Sequence, residues 1–384
     1  MDFYIYKIGD LFTRFSSGKN LTSEKISPEG EYPVYGGNGL RGYTDECNFD
    51  GECIIIGRQG AKCGNIHYFK GKGYMTDHAI VGVSKKEHNS RFLSYALTAL
   101  DLNRLSGQAA QPGLAVSMLK KQKIKLPSSE NQFKIAEIIS IYDNLIENNN
   151  KRIKVLEQMT ENLYKEWFVR FRFPGYENIE FEEDIPSTWK YIQLSDILSF
   201  ERGISYSSAE INCDDGINLV NLKNIQPYGG FRREGTKKYN GKYKASQIVN
   251  AGDLILGVTD MTQDRRTVGS VALIPIIDEP SVISADLVKI KSKIPNEFIY
   301  CMCRYGFYSK YFSQFANGAN VLHLKPNTLL NKKLLLPPEQ LITDFTKVVL
   351  PMLNIIDKLN LQNDILIKQR DLLLPRLMSG KLEV

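Results

Sequence analysis

Three glycine-rich segments in the first third of the chain carry side chains that suit nucleic-acid binding. They are YGGNGLRGY (35–43), GRQGAKCG (57–64) and SGQAAQPG (106–113). Arginine can contact guanine, and glutamine or asparagine can contact adenine, each through two hydrogen bonds. Glycine lets the backbone approach a partner closely. The side chains predicted to contact a nucleic acid are Asn38, Arg41, Tyr43, Arg58, Gln59, Lys62, Gln108 and Gln111.

A comparable set lies in the second half of the chain. The segments are VTDMTQDRRTVG (258–269) and NGANVLHLK (317–325), and they follow a basic run at 231–244 that has six basic residues against one acidic residue. For any one of these residues a solvated loop is the commoner role, but the recurrence of the set favours binding. The predicted contacts are Thr259, Gln263, Arg265, Arg266, Asn320 and His323, with Lys237, Lys238, Lys242 and Lys244 on phosphates.

Motifs for catalysis and metal binding are missing from the sequence. It contains no GxxxxGK[ST], no GxSxG and no glycine-rich dinucleotide motif. The Asn/Asp-Pro-Pro-aromatic loop of amino-methyltransferases is also missing. The six cysteines and four histidines form no CxxC or HExxH pattern, so neither a metal site nor a catalytic residue nor a bound cofactor is predicted.

Composition points to a water-soluble globular protein. Of the 384 residues, 42% are hydrophobic and 24% charged, and the net charge is +6. No run of eighteen uncharged apolar residues could span a membrane, and the N-terminal MDFYIYKIGD lacks the basic and apolar regions of a signal peptide. A cytoplasmic location is therefore expected, with no membrane partner.

An internal duplication is indicated by short matches that occur in the same order in both halves. For example, IGDLFTRFSSG (8–18) resembles LSDILSFERG (194–203), and DGECIIIG (50–57) resembles AGDLILGV (251–258). The second half carries its longer loop at 258–269, which this alignment makes four residues longer than 57–64. Repeats of this kind predict two similar globular blocks.

A long helical segment follows each globular block. Residues 130–167 contain no proline or glycine, and their apolar residues recur at steps of three and four, the pattern of a coiled coil. The segment from about Glu339 repeats this design, although Pro351 and Pro375 predict a kink or break. An ordinary amphipathic helix on a core is the alternative. The residues predicted to pair the helices or dock a partner are Leu145, Asn149, Leu156, Leu163, Leu359, Asn363, Leu366 and Leu373.

The expected fold is α+β, with two globular domains separated by two long helices that form an antiparallel coiled coil with pseudo-twofold symmetry. The predicted segments are a first globular domain at 1–128, a central helix at 129–173, a second globular domain at 174–336 and a C-terminal helix at 337–384.

The chain resembles the specificity subunits of type I restriction-modification systems. NLYKEWFVRFRFPGYE (162–177) ends the first long helix as the central region of that family does, and LLLPRLMSGKLEV (372–384) resembles its C-terminus. GECIIIGRQGAKCG followed by DHAIVGV resembles a target-recognition domain, whereas the second globular block has the longer Asp-Arg-Arg loop instead.

The resemblance implies a subunit without catalytic activity that binds a bipartite site on double-stranded DNA. Each globular block would be a target-recognition domain. Two methyltransferase subunits would dock along the helices, and two restriction-translocase subunits would complete the complex. S-adenosylmethionine, ATP and magnesium would bind to those partners, which would methylate adenine or cleave DNA.

Two alternatives remain open at this point. One is a coiled-coil interaction scaffold with no role on DNA. The other is the recognition part of a fused methyltransferase-nuclease, which the missing catalytic motifs and the repeated helix disfavour.

Overall fold

The computed structural model describes residues 1–60, 62–105, 113–211, 215–277 and 279–384. The chain divides into two compact units. The first unit consists of Met1–Asn148 and Asn363–Val384, and the second consists of Asn149–Gln362. Each unit therefore combines one globular block with a segment of each long helix.

The globular part of the first unit contains eight strands and two helices in its described residues. In chain order they are β1 (Phe3–Lys7), β2 (Phe12–Ser17), β3 (Tyr32–Gly36), β4 (Gly39–Thr44), β5 (Phe49–Gly57), β6 (Ile66–Met75), β7 (Ala79–Ser84), α1 (Ser90–Ala99), α2 (Val116–Lys121) and β8 (Lys123–Pro127). Six strands form a sheet in the order β2-β7-β5-β6-β3-β4, and β1 pairs with β8. Helix α1 begins where the Asn89 side chain accepts a hydrogen bond from the Phe92 backbone N–H.

Strand β5 is buried on both faces of this sheet. Ile54 and Ile56 pack with Phe92 of α1, whereas Ile55 packs with Phe69 on the opposite face. Because side chains alternate along a strand, a strand covered on both sides must be apolar at every position. The run CIIIG satisfies this requirement.

The second unit has more and shorter strands. In chain order its elements are β9 (Phe181–Glu182), β10 (Ile185–Pro186), β11 (Lys190–Gln193), α4 (Leu194–Ile197), β12 (Leu198–Arg202), β13 (Ile217–Val220), β14 (Lys237–Tyr239), β15 (Ile248–Val249), β16 (Leu254–Gly257), β17 (Thr259–Asp260), β18 (Val271–Leu273), β19 (Ser281–Ile283), β20 (Leu287–Ser292), α5 (Asn296–Tyr305), α6 (Tyr308–Ser313), β21 (Leu322–His323), α7 (Asn327–Leu330) and β22 (Lys333–Leu336). The main sheets have the orders β12-β20-β16-β18 and β14-β13-β19-β15.

Strand β16 repeats the double burial of β5. Leu254 and Leu256 pack with Phe298 of α5, whereas Ile255 packs with Ile283 on the other face. Both units thus have the mixed α and β content predicted from the sequence.

The helical segment that follows β20 is divided into two helices, α5 and α6. Phe307 separates them with a left-handed backbone conformation, at a φ of 64°. The preceding Gly306 lies so close to Tyr164 that a Cβ atom there would be 2.7 Å from the tyrosine hydroxyl. A continuous helix is interrupted at this crowded point.

The two long helices are α3 (Ser129–Phe168) and α8 (Glu339–Met378), each of 40 residues. Helix α8 runs through Pro351 and Pro375 as one helix, so the predicted break does not occur. In the second unit, Phe168 packs on Phe345, with ring centroids 4.9 Å apart. Asn149 Nδ2 donates to Gln362 Oε1 over 3.1 Å, so these helix segments run antiparallel.

The residues predicted on α3 differ in exposure. Asn149 is buried, and Leu156 and Leu163 are half-buried. Leu145 is 41% exposed, and the adjacent Ile146 is half-buried. The exposure of Leu145 fits partner docking, the other role predicted for it, better than helix pairing. Positions three and four residues along a helix lie near the same face, and the sequence pattern fits either Leu145 or Ile146.

Helix α8 buries the residues predicted for it. Leu359, Asn363 and Leu366 are 6–8% exposed, and Leu373 is half-buried. The amide of Asn363 is therefore held in the interior at a position where leucine would be expected.

Aromatic residues of the segment 162–177 pack in the core of the second unit. Phe168 lies 5.2 Å from Phe298 between ring centroids, in an edge-to-face arrangement. Tyr164 and Phe173 are also buried. Edge-to-face aromatic pairs add stabilisation beyond the area that they bury, so this motif fixes the end of α3 to the globular part.

Candidate nucleic-acid interface

The loop at 57–64 is held by backbone hydrogen bonds at both of its ends. Gly57 N–H donates to Asn65 O and Gly64 N–H donates to Gly57 O, each over 2.8 Å. Arg58 N–H donates to His78 O over 2.9 Å, and Leu114 N–H donates to Arg58 O over 2.9 Å. We call these four bonds the loop frame of the first unit.

The same four bonds recur at the loop of the second unit. Gly257 N–H donates to Ser270 O, and Gly269 N–H donates to Gly257 O. The other two bonds are Val258 N–H to Asp286 O and Leu324 N–H to Val258 O. All four distances lie between 2.8 and 2.9 Å. Both loops are therefore built on one backbone arrangement.

The frame also sets the lengths of the two loops. Six residues separate Gly57 from Gly64, and eleven separate Gly257 from Gly269. The second loop is therefore five residues longer than the first, which corrects the difference of four predicted from the sequence. The sequence alignment started the second loop at Val258, whereas the hydrogen bonds start it at Gly257.

Three segments meet at the first loop. Gly37, in the turn between β3 and β4, lies so close that a Cβ atom there would be 2.9 Å from Gln59 O and 3.1 Å from His78 O. Asn38, Gln59 and Lys62 are exposed at this place. The predicted residues of the first and second segments are thus brought together.

Arg58 is partly committed to contacts within the chain. Its guanidinium donates to Ser17 Oγ over 3.2 Å and to Asp77 O over 3.5 Å, and the side chain is half-buried. These contacts fix its direction, and its remaining N–H groups are available to a ligand.

The other predicted DNA contacts of the first unit differ in where they lie relative to the first loop. Arg41 is exposed, and its stem lies against Gly36, where a Cβ would be 2.6 Å from Arg41 Cδ. Tyr43 is half-buried and pairs with Pro33, further along β4 from the turn, so it does not join the cluster. Gln108 and Gln111 lie outside the described residues.

The longer loop of the second unit is organised around Asp260. This carboxylate is 3% exposed and accepts hydrogen bonds from the backbone N–H groups of Thr262, Thr267 and Val268. Burial alone would raise the pKa of Asp260, but hydrogen bonds from Thr267 and Thr262 outweigh it and lower the pKa to about 2. Asp260 was not among the predicted residues, although an aspartate that bonds the backbone two residues ahead is a common turn signal.

Several residues of the second loop that were predicted to contact DNA form hydrogen bonds within the protein instead. Thr259 is 5% exposed, and its Oγ1 donates to Asp286 Oδ1 over 3.0 Å, so we correct its predicted role from DNA contact to support. Gln263 Nε2 donates to Ala319 O over 2.8 Å. Arg265 donates to Ser313 O over 2.9 Å. These bonds join the loop to the segment at 313–323.

Four of the side chains predicted to contact DNA are exposed in this cluster. They are Gln263, Arg266, Asn320 and His323. Arg266 forms an ion pair of 2.6 Å with Asp264, and His323 lies opposite Thr259 in the pairing of β17 with β21. The second loop and the segment beside it therefore present an exposed arginine together with exposed amide and imidazole groups.

The four predicted phosphate contacts have different surroundings. Lys237 lies over the Tyr206 ring, 5.9 Å from its centroid, and Lys238 forms a 2.8 Å ion pair with Glu279. Lys242 and Lys244 are exposed. An exposed lysine has no protein contact to give up when it binds a phosphate. Lys242 and Lys244 are therefore the better candidates for phosphate contacts.

Carboxylates on the long helices bind the globular parts, which the sequence analysis missed. In the first unit, Asp143 of α3 accepts from Tyr95 of α1, and it also accepts from Arg370 of α8 over 2.9 Å. In the second unit, Asp357 accepts from Arg233 and from Ile276 N–H, the latter over 2.8 Å. The two aspartates are separated by the same 214 positions as Asn149 and Asn363, which could have revealed them.

Within the described ranges of the chain, metal-binding clusters are absent and the Cys53 thiol is buried. No group of three histidine, cysteine or acidic side chains there could hold a metal ion. Burial raises the pKa of the Cys53 thiol to about 12, which keeps it protonated and unreactive. No helix within these same ranges is long and apolar enough to cross a membrane.

Comparison with known proteins gives the family. A model of the type I restriction modification DNA specificity domain matches residues 1–158. The EcoprrI specificity subunit of Escherichia coli is 41% identical over 136 residues, 34% of each chain. The MjaIX specificity subunit of Methanocaldococcus jannaschii is 30% identical over 295 residues, 74% of this chain and 66% of that protein. The chain belongs to the specificity subunits of type I restriction-modification systems.

The matches to these two relatives span about a third and about two thirds of their lengths. A crystal structure of the type I restriction-modification S subunit from M. genitalium aligns with a TM-score of 0.68 and 18% identity. It covers 98% of this specificity subunit and 96% of that chain. At this identity the likeness establishes the fold, and it extends over both units.

Proposed function

We propose that this specificity subunit binds a bipartite site on double-stranded DNA and reads one half of the site with each unit. The observation that carries the proposal is the repeated loop frame, which displays different exposed side chains in the two units. A common frame with different side chains is what two half-sites of different sequence require. The arginine and amide side chains around each frame are those that contact base edges in the major groove.

The proposed complex contains two methyltransferase subunits and two restriction-translocase subunits in the cytoplasm. The specificity subunit itself would carry no catalytic residue. S-adenosylmethionine, ATP and magnesium would bind to the partners, which would methylate adenine or cleave DNA. Exposed apolar side chains along the long helices, such as Ile141, Val155 and Leu372, support docking of methyltransferase subunits there.

The long helices are proposed to form one antiparallel coiled coil that sets the distance between the half-sites. Matched positions on the two helices, Asn149 with Asn363 and Asp143 with Asp357, support a pseudo-twofold duplication. Half-sites read from one face of B-DNA should lie about one turn, roughly 10 base pairs, apart between their centres.

The direct experiment is co-expression with the cognate methyltransferase subunit, followed by mapping of the modified adenines in cellular DNA. A motif with two defined halves and an unread spacer is expected. A motif with one half, or no modification by a complex that assembles, would contradict the proposal.

The spacer can be tested by adding one heptad to each helix, after Asn149 and after Gln362. Seven residues add about 10 Å to a helix, which at about 3.4 Å per base pair corresponds to roughly three base pairs. Adenine mapping should show a longer spacer between unchanged half-sites. An unchanged spacer in an assembled complex would show that the helices do not set it.

The salt dependence of DNA binding distinguishes this proposal from a scaffold without a role on DNA. DNA binding that neutralises phosphates falls steeply with salt concentration. The methyltransferase complex should therefore be released from duplex DNA as salt rises, and a variant lacking the lysines Lys242 and Lys244 should be released earlier. A scaffold would show neither effect.

A further inference from the structure

In each unit, one residue of the loop forms a side-chain hydrogen bond with the residue just before a core strand. The loop residue follows Arg58 in the first unit and Val258 in the second, and the strands are β7 and β20. In the first unit, His78 Nδ1–H donates to Gln59 Oε1 over 2.9 Å. In the second unit, Thr259 donates to Asp286 over 3.0 Å between the two side-chain oxygens. The loop frame places these residues at corresponding positions, because Arg58 bonds His78 O as Val258 bonds Asp286 O.

The pair of the first unit lies at the surface. Gln59 and His78 are both exposed, and Gly37 brings the turn that carries the exposed Asn38 against their backbone. Two exposed side chains normally gain little from bonding each other in water, so this bond serves to orient rather than to stabilise the fold.

The hydrogen bond fixes which groups the glutamine can offer. The imidazole donates through Nδ1, so in its neutral form its Nε2 is an acceptor. Gln59 Oε1 keeps one lone pair and its Nε2 keeps its N–H donors, side by side. A glutamine amide with this pair of groups matches the N6–H donor and N7 acceptor of adenine in the major groove.

We propose that His78 is a specificity-determining residue, which holds Gln59 in the orientation that reads an adenine in the half-site of the first unit. This inference rests on the proposed DNA-reading function. His78 is a positioning residue, since it acts through Gln59. Asp286 and Thr259 occupy the corresponding positions in the second unit, with the threonine buried and the aspartate half-buried.

The test uses the methyltransferase complex and a set of duplexes in which each base pair of the first half-site is replaced in turn. Gln59→Ala should reduce the discrimination for adenine at one base pair by about 5- to 100-fold. His78→Ala should reduce it at the same base pair, by roughly 3- to 10-fold, since the amide then rotates freely. The second half-site should be unaffected by either change.

Two variants of equal size isolate the hydrogen bond. His78→Asn keeps an N–H donor for Gln59 Oε1 and should retain most of the discrimination. His78→Asp removes the donor and should lose as much as His78→Ala. Glu87→Gln, an exposed change beyond the other end of β7, should leave binding unchanged. Equal behaviour of the asparagine and aspartate variants would overturn the proposal.

A double variant tests the route through the glutamine. In a Gln59→Ala background, His78→Ala should have no further effect at that base pair. A further loss of the same size would mean that His78 contacts DNA itself, and this would also overturn the inference.

The test separates failure of this inference from failure of the proposed function. If the unmodified complex reads two half-sites but the variants of His78 do not change discrimination, the positioning role is wrong and the function stands. If the unmodified complex binds all duplexes equally, the proposed function itself is wrong.

Discussion

The two loops of this specificity subunit share a backbone frame but differ in how they are stabilised. The short loop of the first unit has exposed side chains at Gln59 and Lys62 and is held by the frame and by side-chain bonds of Arg58 and His78. The long loop of the second unit is folded around the buried carboxylate of Asp260 and attached to a neighbouring segment through Gln263 and Arg265.

This difference shows how one frame can carry loops of different length. A six-residue loop closed by two glycines needs little internal support. A loop of eleven residues loses more conformational entropy on ordering, and internal hydrogen bonds must offset that loss. Side chains that appear in sequence as ligand contacts are then partly used to build the loop.

The largest expected effect follows from removing the centre of the long loop. Asp260→Ala leaves the backbone N–H groups of Thr262, Thr267 and Val268 without their acceptor, which should lower the free energy of unfolding by about 2–4 kcal/mol. Urea denaturation measures this loss, and Asp264→Ala, an exposed change in the same loop, serves as control. Adenine mapping should show that only the second half-site is lost. A change in the first half-site would contradict the separation of the two loops.

Of the two framed loops, the long one should be weakened by acid. Because the folded protein lowers the pKa of Asp260 to about 2, its stabilising contribution is complete above the ordinary value near 3.8. The contribution is lost as pH falls from there through about 2. Between these limits, unfolding measurements should show a smaller pH dependence in Asp260→Asn than in the unmodified protein. An identical dependence would mean that the carboxylate is not ionised in the folded loop.

The arginines of the two loops should each affect one half-site. Arg58→Ala should weaken specific binding by about 1–3 kcal/mol and relax one position of the first half-site. Arg266→Ala should do the same in the second half-site, with a smaller effect because Asp264 already pairs with this arginine. Binding to single-substitution duplexes measures both. Equal loss on specific and random DNA would make either residue a phosphate contact.

The smallest expected effect concerns the basic run, which has no counterpart in the first loop. Lys242→Gln should weaken binding to every sequence and reduce the salt slope by about one ion. Lys238→Gln is the matched comparison and should have less effect, since Lys238 pairs with Glu279. A changed methylation motif with an unchanged slope would contradict the phosphate role.

Much of the fold could be predicted from sequence patterns. Apolar runs such as CIIIG and the three-and-four spacing of 130–167 depend on local periodicity, and both correspond to observed elements at β5 and α3. Periodicity could not decide between Leu145 and Ile146, which are adjacent on the helix. An apolar pattern also cannot select Thr160, which is fully buried and donates to the Leu156 carbonyl.

The candidate interface was less predictable because it depends on contacts between distant segments. The sequence identified Gln59 but could not place His78 beside it, nineteen positions away. It identified Thr259 as polar and within a loop, but burial of that hydroxyl against Asp286 depends on strand pairing. Composition gives the chemistry of a loop, whereas tertiary hydrogen bonds decide which side chains remain accessible.

The central claim is that each unit reads one half-site independently, and exchange of one globular block tests it most directly. Residues 1–128 of this chain would be transferred onto another specificity subunit of the same family, and the modified adenines of the resulting complex would be mapped. We expect the hybrid to combine the first half-site of this subunit with the unchanged second half-site of the recipient. A hybrid complex that methylates DNA but shows a new sequence in both halves, or in neither, would contradict the claim.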